Sequence, residues 1–163
     1  MCDMSEPRWL SDSEQWAWRA YTSATKLVNE RLDRQLQRDS GMPTTYYEIL
    51  VALSESPDRE LRMSELAEFT KSSRSRLSHA IARLEENGWV TRRSCATDKR
   101  GAFAVLTEDG MAAVKAAAPG HVNEVRSVLF EGLTPEQVHQ LGLISEAITT
   151  QASKGCPTNP CDE

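Results

Sequence analysis

The segment SSRSRLSHAIARLEENGWVTRRSCATDKRGAFAVLT, residues 72–107, constrains this chain more than any other part: a short helix, basic in its first half, precedes two strands joined by a charged loop. Ser73 is a good N-cap, because its hydroxyl can accept from a free first-turn N–H, and Leu77, Ile81 and Leu84 recur at helical spacing. Asn87-Gly88 then supplies a residue able to take positive φ and stop the helix. With the apolar stripe turned inward, Arg74, Ser75, Arg76, Ser78 and His79 remain outward on the first two turns. Residues 89–93 and 103–107 are β-prone, and 96–102 between them hold Asp98-Lys99-Arg100-Gly101, a turn composition that predicts a hairpin.

Upstream, residues 62–70 read as a short helix, with Ser64 as a candidate N-cap and Leu66, Ala67 and Phe69 available to a core. A brief turn at Lys71-Ser72 leads into the basic helix, and two helices so joined make a helix-turn-helix unit. Its outward set is Ser72, Ser73, Arg74, Ser75, Arg76, Ser78 and His79, with Arg83 a turn further on. Short hydroxyls and cations suit base edges: Arg pairs bidentately with guanine, and Ser serves several bases. Asp98, Lys99 and Arg100 at the hairpin tip suit an arm that reaches phosphates or the minor groove while Asp98 orients Arg100. A merely solvated helix face and an ordinary turn are the competing readings of the two elements taken singly.

The run SELAEFTKSSRSRLSHAIARLEENGWV followed by the DKR tip resembles the MarR family of bacterial transcriptional regulators, over residues 43–107 and more loosely over the flanks. The resemblance implies a mainly α fold with a small β-hairpin wing, a winged helix-turn-helix carried on a helical dimerisation body. It matches Asp98 and Arg100 to an Asp-x-Arg pair of the wing tip, and residues 73–87 to the base-reading helix. It also implies a homodimer, an inverted-repeat operator in double-stranded DNA, and often a small-molecule inducer. Residues 1–163 then form one such domain: 43–107 bind DNA, 11–40 and 108–153 dimerise, and 154–163 are a flexible tail.

The flanks support that division. Over residues 13–38 the apolar positions Ala17, Tyr21, Ala24, Val28, Leu32 and Leu36 step by three or four, with Ser11 or Ser13 to cap the helix. Pro43 opens a second helix, 44–54, in which Tyr46, Ile49, Leu50 and Leu53 pack under the reading head. Beyond the wing, Thr107 caps a helix to Ala118, Pro119-Gly120 breaks or bends it, and the pattern resumes from Val122 to Phe130. Thr134-Pro135-Glu136-Gln137 starts a last helix to Ser153, with Val138, Leu141, Ile144 and Ile148 on one face. These helices hold more apolar surface than the small winged unit can cover, and a dimer interface would bury it.

A net charge of -5 argues against a nucleic-acid partner until its distribution is read. Residues 71–100 hold eight Lys or Arg against three acids, a charge of +5, so the rest of the chain carries -10. A basic face on an acidic body is the footprint of a binder that touches DNA along one edge. No apolar run approaches the ~18 residues that span a bilayer, and the acidic N-terminus lacks an export signal, so no membrane partner and a cytoplasmic location are expected.

Enzymatic chemistry is not expected. His79, His121 and His139 fall on different predicted helices without metal-ligand spacing, and no phosphate loop or nucleophile elbow occurs. His121 and His139 read as unremarkable, solvent-facing or satisfied. No cofactor or metal is expected, although Cys156 and Cys161 in CPTNPC leave a zinc site, a reversible disulfide or no role open. An inducer would sit where the dimer body meets the reading head, with Trp16, Arg19, Tyr21, Tyr46 and Tyr47 as candidate lining. The residues therefore predict a sequence-specific DNA-binding regulator, a repressor. A thiol-responsive regulator, and a helical dimer acting through protein contacts, are the alternatives. Cys2 lies too far into the N-terminus to match the family's sensing thiol near the first helix, and Cys95 on the first wing strand reads either as a thiol whose oxidation disturbs DNA contact or as a half-buried residue with no role.

Overall fold

The computed structural model describes residues 7–94 and 101–154, and the chain divides into two compact units, Met1–Glu124 and Val125–Glu163. The first unit opens with α1, Asp12–Ser40. Ser11 is its cap: the Ser11 hydroxyl accepts from the Glu14 N–H at 3.3 Å while the Glu14 carboxylate accepts from the Ser11 N–H at 2.7 Å. Gly41, at φ 62, closes the helix. Of the predicted apolar stripe, Leu36 alone is fully buried within the unit; Val28 and Leu32 are half-buried and Tyr21 is exposed.

Helix α2, Thr44–Glu55, is the spine of the core. Asp33 of α1 caps it, accepting from the Thr44 N–H and hydroxyl, each at 3.0 Å. Its Ile49, Leu50 and Leu53 are wholly buried with Leu66 of α3 (Met63–Phe69) and with Leu77, Ile81 and Leu84 of α4 (Arg74–Glu86). Each such side chain contributes about 1.5–3 kcal/mol of transfer free energy. This cluster, not α1, therefore carries most of the unit's apolar stabilisation. Tyr47, rather than Tyr46, is the α2 tyrosine that enters it.

Two strands were expected, and three form among the described residues. Strand β1, Glu60–Arg62, was not expected; it takes Arg62, the first residue of the expected helix 62–70. It pairs antiparallel with β3, Ala102–Leu106, which in turn pairs with β2, Val90–Ser94, giving the order β1-β3-β2. A three-residue strand is too short to show an alternation in sequence, and the open edge of β3 decides it. Helix α3 accordingly begins at Met63, with the Glu65 carboxylate accepting from the Arg62 N–H at 3.1 Å; Ser64 is inside the helix and not its cap. Phe69, expected in the core, is 59% exposed.

Helix α5, Glu108–Val125, starts as expected: the Thr107 hydroxyl accepts from the Gly110 N–H at 3.0 Å and donates to the Gly88 carbonyl at 2.7 Å. Pro119 does not break it. A proline removes one backbone bond, and contacts on both sides hold the helix through it: Ala117 is buried, and Arg31 of α1 pairs with Glu124 at 2.7 Å. After Val125 the chain makes a π-helical turn, Arg126–Phe130, and then α6, Pro135–Ser153. Thr134 and Gln137 form the capping box that starts α6. Val138 and Leu141 of α6 are half-buried, whereas Ile144 and Ile148 are exposed.

Candidate nucleic-acid interface

The link between α3 and α4 is a tight left-handed turn. Ser72 N–H donates to the Ala67 carbonyl at 3.0 Å and Lys71 N–H to Glu68 at 3.3 Å, with Lys71 at φ 50. That is the pattern in which a helix ends on a residue of positive φ, usually glycine. Ser73 then caps α4, its hydroxyl accepting from the Arg76 N–H at 3.3 Å. At the other end Gly88, at φ 74, donates to Glu85, and Trp89 donates to Leu84, each at 2.9 Å.

Leu77, Ala80, Ile81 and Leu84 form the buried face of α4. At 3.6 residues per turn, Ser75, His79, Ala82 and Glu86 lie opposite that face and form an outward ridge. Arg74 and Ser78 stand on the flank toward the sheet. Arg76 and Arg83 stand on the other flank, where they share an open groove with Tyr46 of α2, His79 and Glu86. Ser73, Arg74, Ser75, Arg76, Ser78, His79 and Arg83 are all exposed, and Ser72 is half-buried. Arg83 pairs with Glu86 at 2.7 Å, a hydrogen bond that raises the guanidinium pKa.

The sheet bears two kinds of arginine. Arg62, Phe103 and Arg93 are opposite one another across β1, β3 and β2, and the guanidinium carbons stand 5.2 Å (Arg62) and 4.7 Å (Arg93) from the Phe103 ring centre. Arg93 also pairs with Glu60 at 2.7 Å. Arg92 faces the other way, sharing a strand face with buried Val90, and turns to α4. The sequence places Arg92 and Arg93 on a β-prone segment as part of the basic stretch and gives neither a site role; their alternation along β2 is the signal that assigns them to opposite faces. The tip residues Asp98, Lys99 and Arg100, and Cys2, Cys95, Cys156 and Cys161, lie outside the described residues.

The five residues considered for an inducer pocket are not gathered within one chain. Tyr46 lines the α4 groove and Tyr47 belongs to the buried core cluster, as does Leu36 of α1. Trp16, Arg19 and Tyr21 occupy the exposed end of α1, about 22–30 Å along the helix from Leu36 at 1.5 Å per residue. Tyr47 meets His121 of α5 instead. His121, expected to be unremarkable, is half-buried with its Nδ1 lacking a hydrogen-bond partner among the described residues. Burial lowers its pKa, and burial followed by the charge of Glu55 raises that of Tyr47. His79 and His139 are exposed. Among the described residues no group of His, Cys, Asp or Glu could hold a metal ion, and no helix is long and apolar enough to cross a membrane.

A capped basic helix set on a short partner helix and backed by a three-stranded antiparallel sheet is a winged helix-turn-helix. The MarR family model matches residues 40–101. Sco3205 of Streptomyces coelicolor, a MarR family transcriptional regulator solved in complex with DNA, is 56% identical, over 89% of this chain and 91% of that one, with a TM-score of 0.85. AbsC of the same organism, also a MarR family transcriptional regulator, is 42% identical over 91% of this chain and 99% of that one, again with a TM-score of 0.85. The transcriptional repressor YetL of Bacillus subtilis is 28% identical over 55% of this chain, which spans about half (53%) of YetL. This chain belongs to the MarR family of transcriptional regulators.

Proposed function

We propose that the chain is a homodimeric repressor that acts in the cytoplasm and reads an inverted repeat in duplex DNA, one α4 in each half-site. The observation that carries this reading is the outward ridge of α4, where Ser75 and His79 stand between Arg74 on one flank and Arg76 and Arg83 on the other. The major groove admits a helix that leads with such side chains, and the Arg and Ser residues match the acceptors of guanine and the mixed edges of other bases. Ser72, Ser73 and Ser78 complete the reading set, with Asp98, Lys99 and Arg100 as the arm. The crystallised complex of Sco3205 with DNA supports the partner, and the name of YetL supports repression.

Residues 11–40 and 108–153 are the proposed dimer body. Trp16, Trp18, Tyr21 and Leu27 on α1, and Leu143, Ile144 and Ile148 on α6, are large apolar side chains that a lone chain leaves in water. A two-fold interface would bury them, and Trp16, Arg19, Tyr21, Tyr46 and Tyr47 would then take an inducer that releases the operator. The test is selection of duplexes from a random pool, followed by sedimentation of the free chain. An inverted repeat with half-sites about 10 bp apart or a small multiple of that, bound by a dimer at micromolar concentration, is the expected result. A monomer, or a chain with no affinity for duplex at low salt, overturns it.

A further inference from the structure

Arg92 belongs to the basic stretch by composition, yet its guanidinium is turned back onto the protein. Its Nη2 donates to the Ser78 carbonyl of α4 at 2.8 Å, its Nε lies 3.4 Å from the Glu85 carboxylate, and its backbone N–H donates to the other Glu85 oxygen at 3.0 Å. Three contacts from one strand residue thus grip α4 at two points seven residues apart. Ser78 lies one turn from Arg74 and beside His79, so the grip acts under the base-facing surface. The geometry of β2 explains the reach. Arg92 shares its strand face with Val90, is paired with buried Ala104, and extends past the edge of the core to the helix.

We propose that Arg92 is a positioning residue: it sets the rotation of α4 about its own axis by tying β2 to Ser78 and Glu85, and it contributes to base discrimination without touching DNA. This rests on the reading of α4 as the base-contacting helix. The buried face of α4, Leu77, Ala80, Ile81 and Leu84, anchors the helix in depth, but apolar packing is non-directional and fixes rotation about the helix axis less sharply than a hydrogen bond to the backbone does. Base readout needs side chains held to about 0.5 Å and 10–20°. A directional clamp on the backbone carbonyl of Ser78 restrains that rotation. Both partners are partly exposed, with side chains 37% (Arg92) and 32% (Glu85) accessible, so the pair adds little to overall stability.

The test uses the full chain with its selected inverted-repeat duplex and a scrambled duplex of equal length, at two salt concentrations. Arg92→Ala should lower the preference for the inverted repeat over the scrambled duplex about tenfold or more, with the salt slope unchanged and the melting temperature close to wild type. Arg92→Lys, which keeps the charge but cannot make both contacts, should fall between. Glu85→Ala removes an acid from beside a polyanion. A purely electrostatic role predicts tighter binding to both duplexes, whereas positioning predicts lost preference, and this variant carries the test if Arg92→Ala does not fold. Equal weakening on both duplexes with a salt slope lower by about 1 would make Arg92 a phosphate contact and overturn the proposal. So would unchanged preference in Arg92→Ala, or tighter binding to both duplexes with preference intact in Glu85→Ala. Failure of wild type to bind duplex refutes the DNA-reading function itself, a distinct outcome.

Discussion

Tyr47 and His121 stack with ring centres 4.6 Å apart and planes tilted by 52°, joining α2 to α5 at the edge of the core. Burial holds the His121 imidazole below its ordinary pKa of 6.5, so the folded protein favours the neutral ring. The unfolded chain takes up the proton first as pH falls. Stability is therefore fully present above about pH 6.5 and is lost as pH drops through the lowered folded value. His121→Phe keeps the ring contact and removes both the titration and the unpaired Nδ1. Urea unfolding between pH 5 and 8 should show a flatter profile for this variant, with equal or greater stability near neutral pH; a profile parallel to wild type would count against the assignment.

Gly110 sits where the N-terminus of α5 crosses the end of the helix-turn-helix. A Cβ there would collide with the Trp89 carbonyl oxygen and stand 2.7 Å from Leu106 Cδ1. Backbone cannot swing aside as a side-chain end can, so Gly110→Ala should destabilise by about 2 kcal/mol or more despite alanine's better helix propensity. Thermal unfolding at neutral pH checks this.

Lys71 holds a positive φ that L side chains adopt at a cost of roughly 1–2 kcal/mol, partly offset by the greater unfolded-state entropy of glycine. Lys71→Gly should therefore raise stability by up to about 1 kcal/mol. Loss of a cation beside α4 should at the same time weaken binding to every duplex alike. Denaturation and titration against a scrambled duplex separate the two effects.

On the proposed function, variants of α4 and of residues 98–100 should differ in what they report. Arg74→Ala or Arg76→Ala should cost about 1–3 kcal/mol on the operator and relax the preference at one base pair. Arg100→Ala should weaken operator and scrambled duplex more evenly and lower the salt slope by about 1, with Asp98→Ala a milder version of it. Competition titrations at two salt concentrations distinguish the two patterns. An Arg100→Ala variant that binds both duplexes like wild type would remove the arm from the interface.

The features legible in sequence are those set by local physics. The cap at Ser73, the stop at Gly88, the α4 stripe of Leu77, Ile81 and Leu84, and the N-cap at Thr134 with Pro135 after it each depend on a few neighbouring residues, and all stand in the structure. The same periodicity oriented Ser75, Arg76 and His79 outward, so most of the candidate reading surface could be named before any fold was known. Tertiary structure decided what depends on distant partners. Strand β1 forms because β3 offers an edge, α5 runs through Pro119 because contacts on both sides hold it, and Tyr47 rather than Tyr46 is buried because His121, 74 positions later, comes to meet it. Arg92 and Arg93 show the division most sharply. Composition makes them two equal charges, while the pleat of β2 turns one to the Ser78 carbonyl and Glu85 and the other to Phe103 and Glu60, a choice made only once the strand has a sheet to belong to.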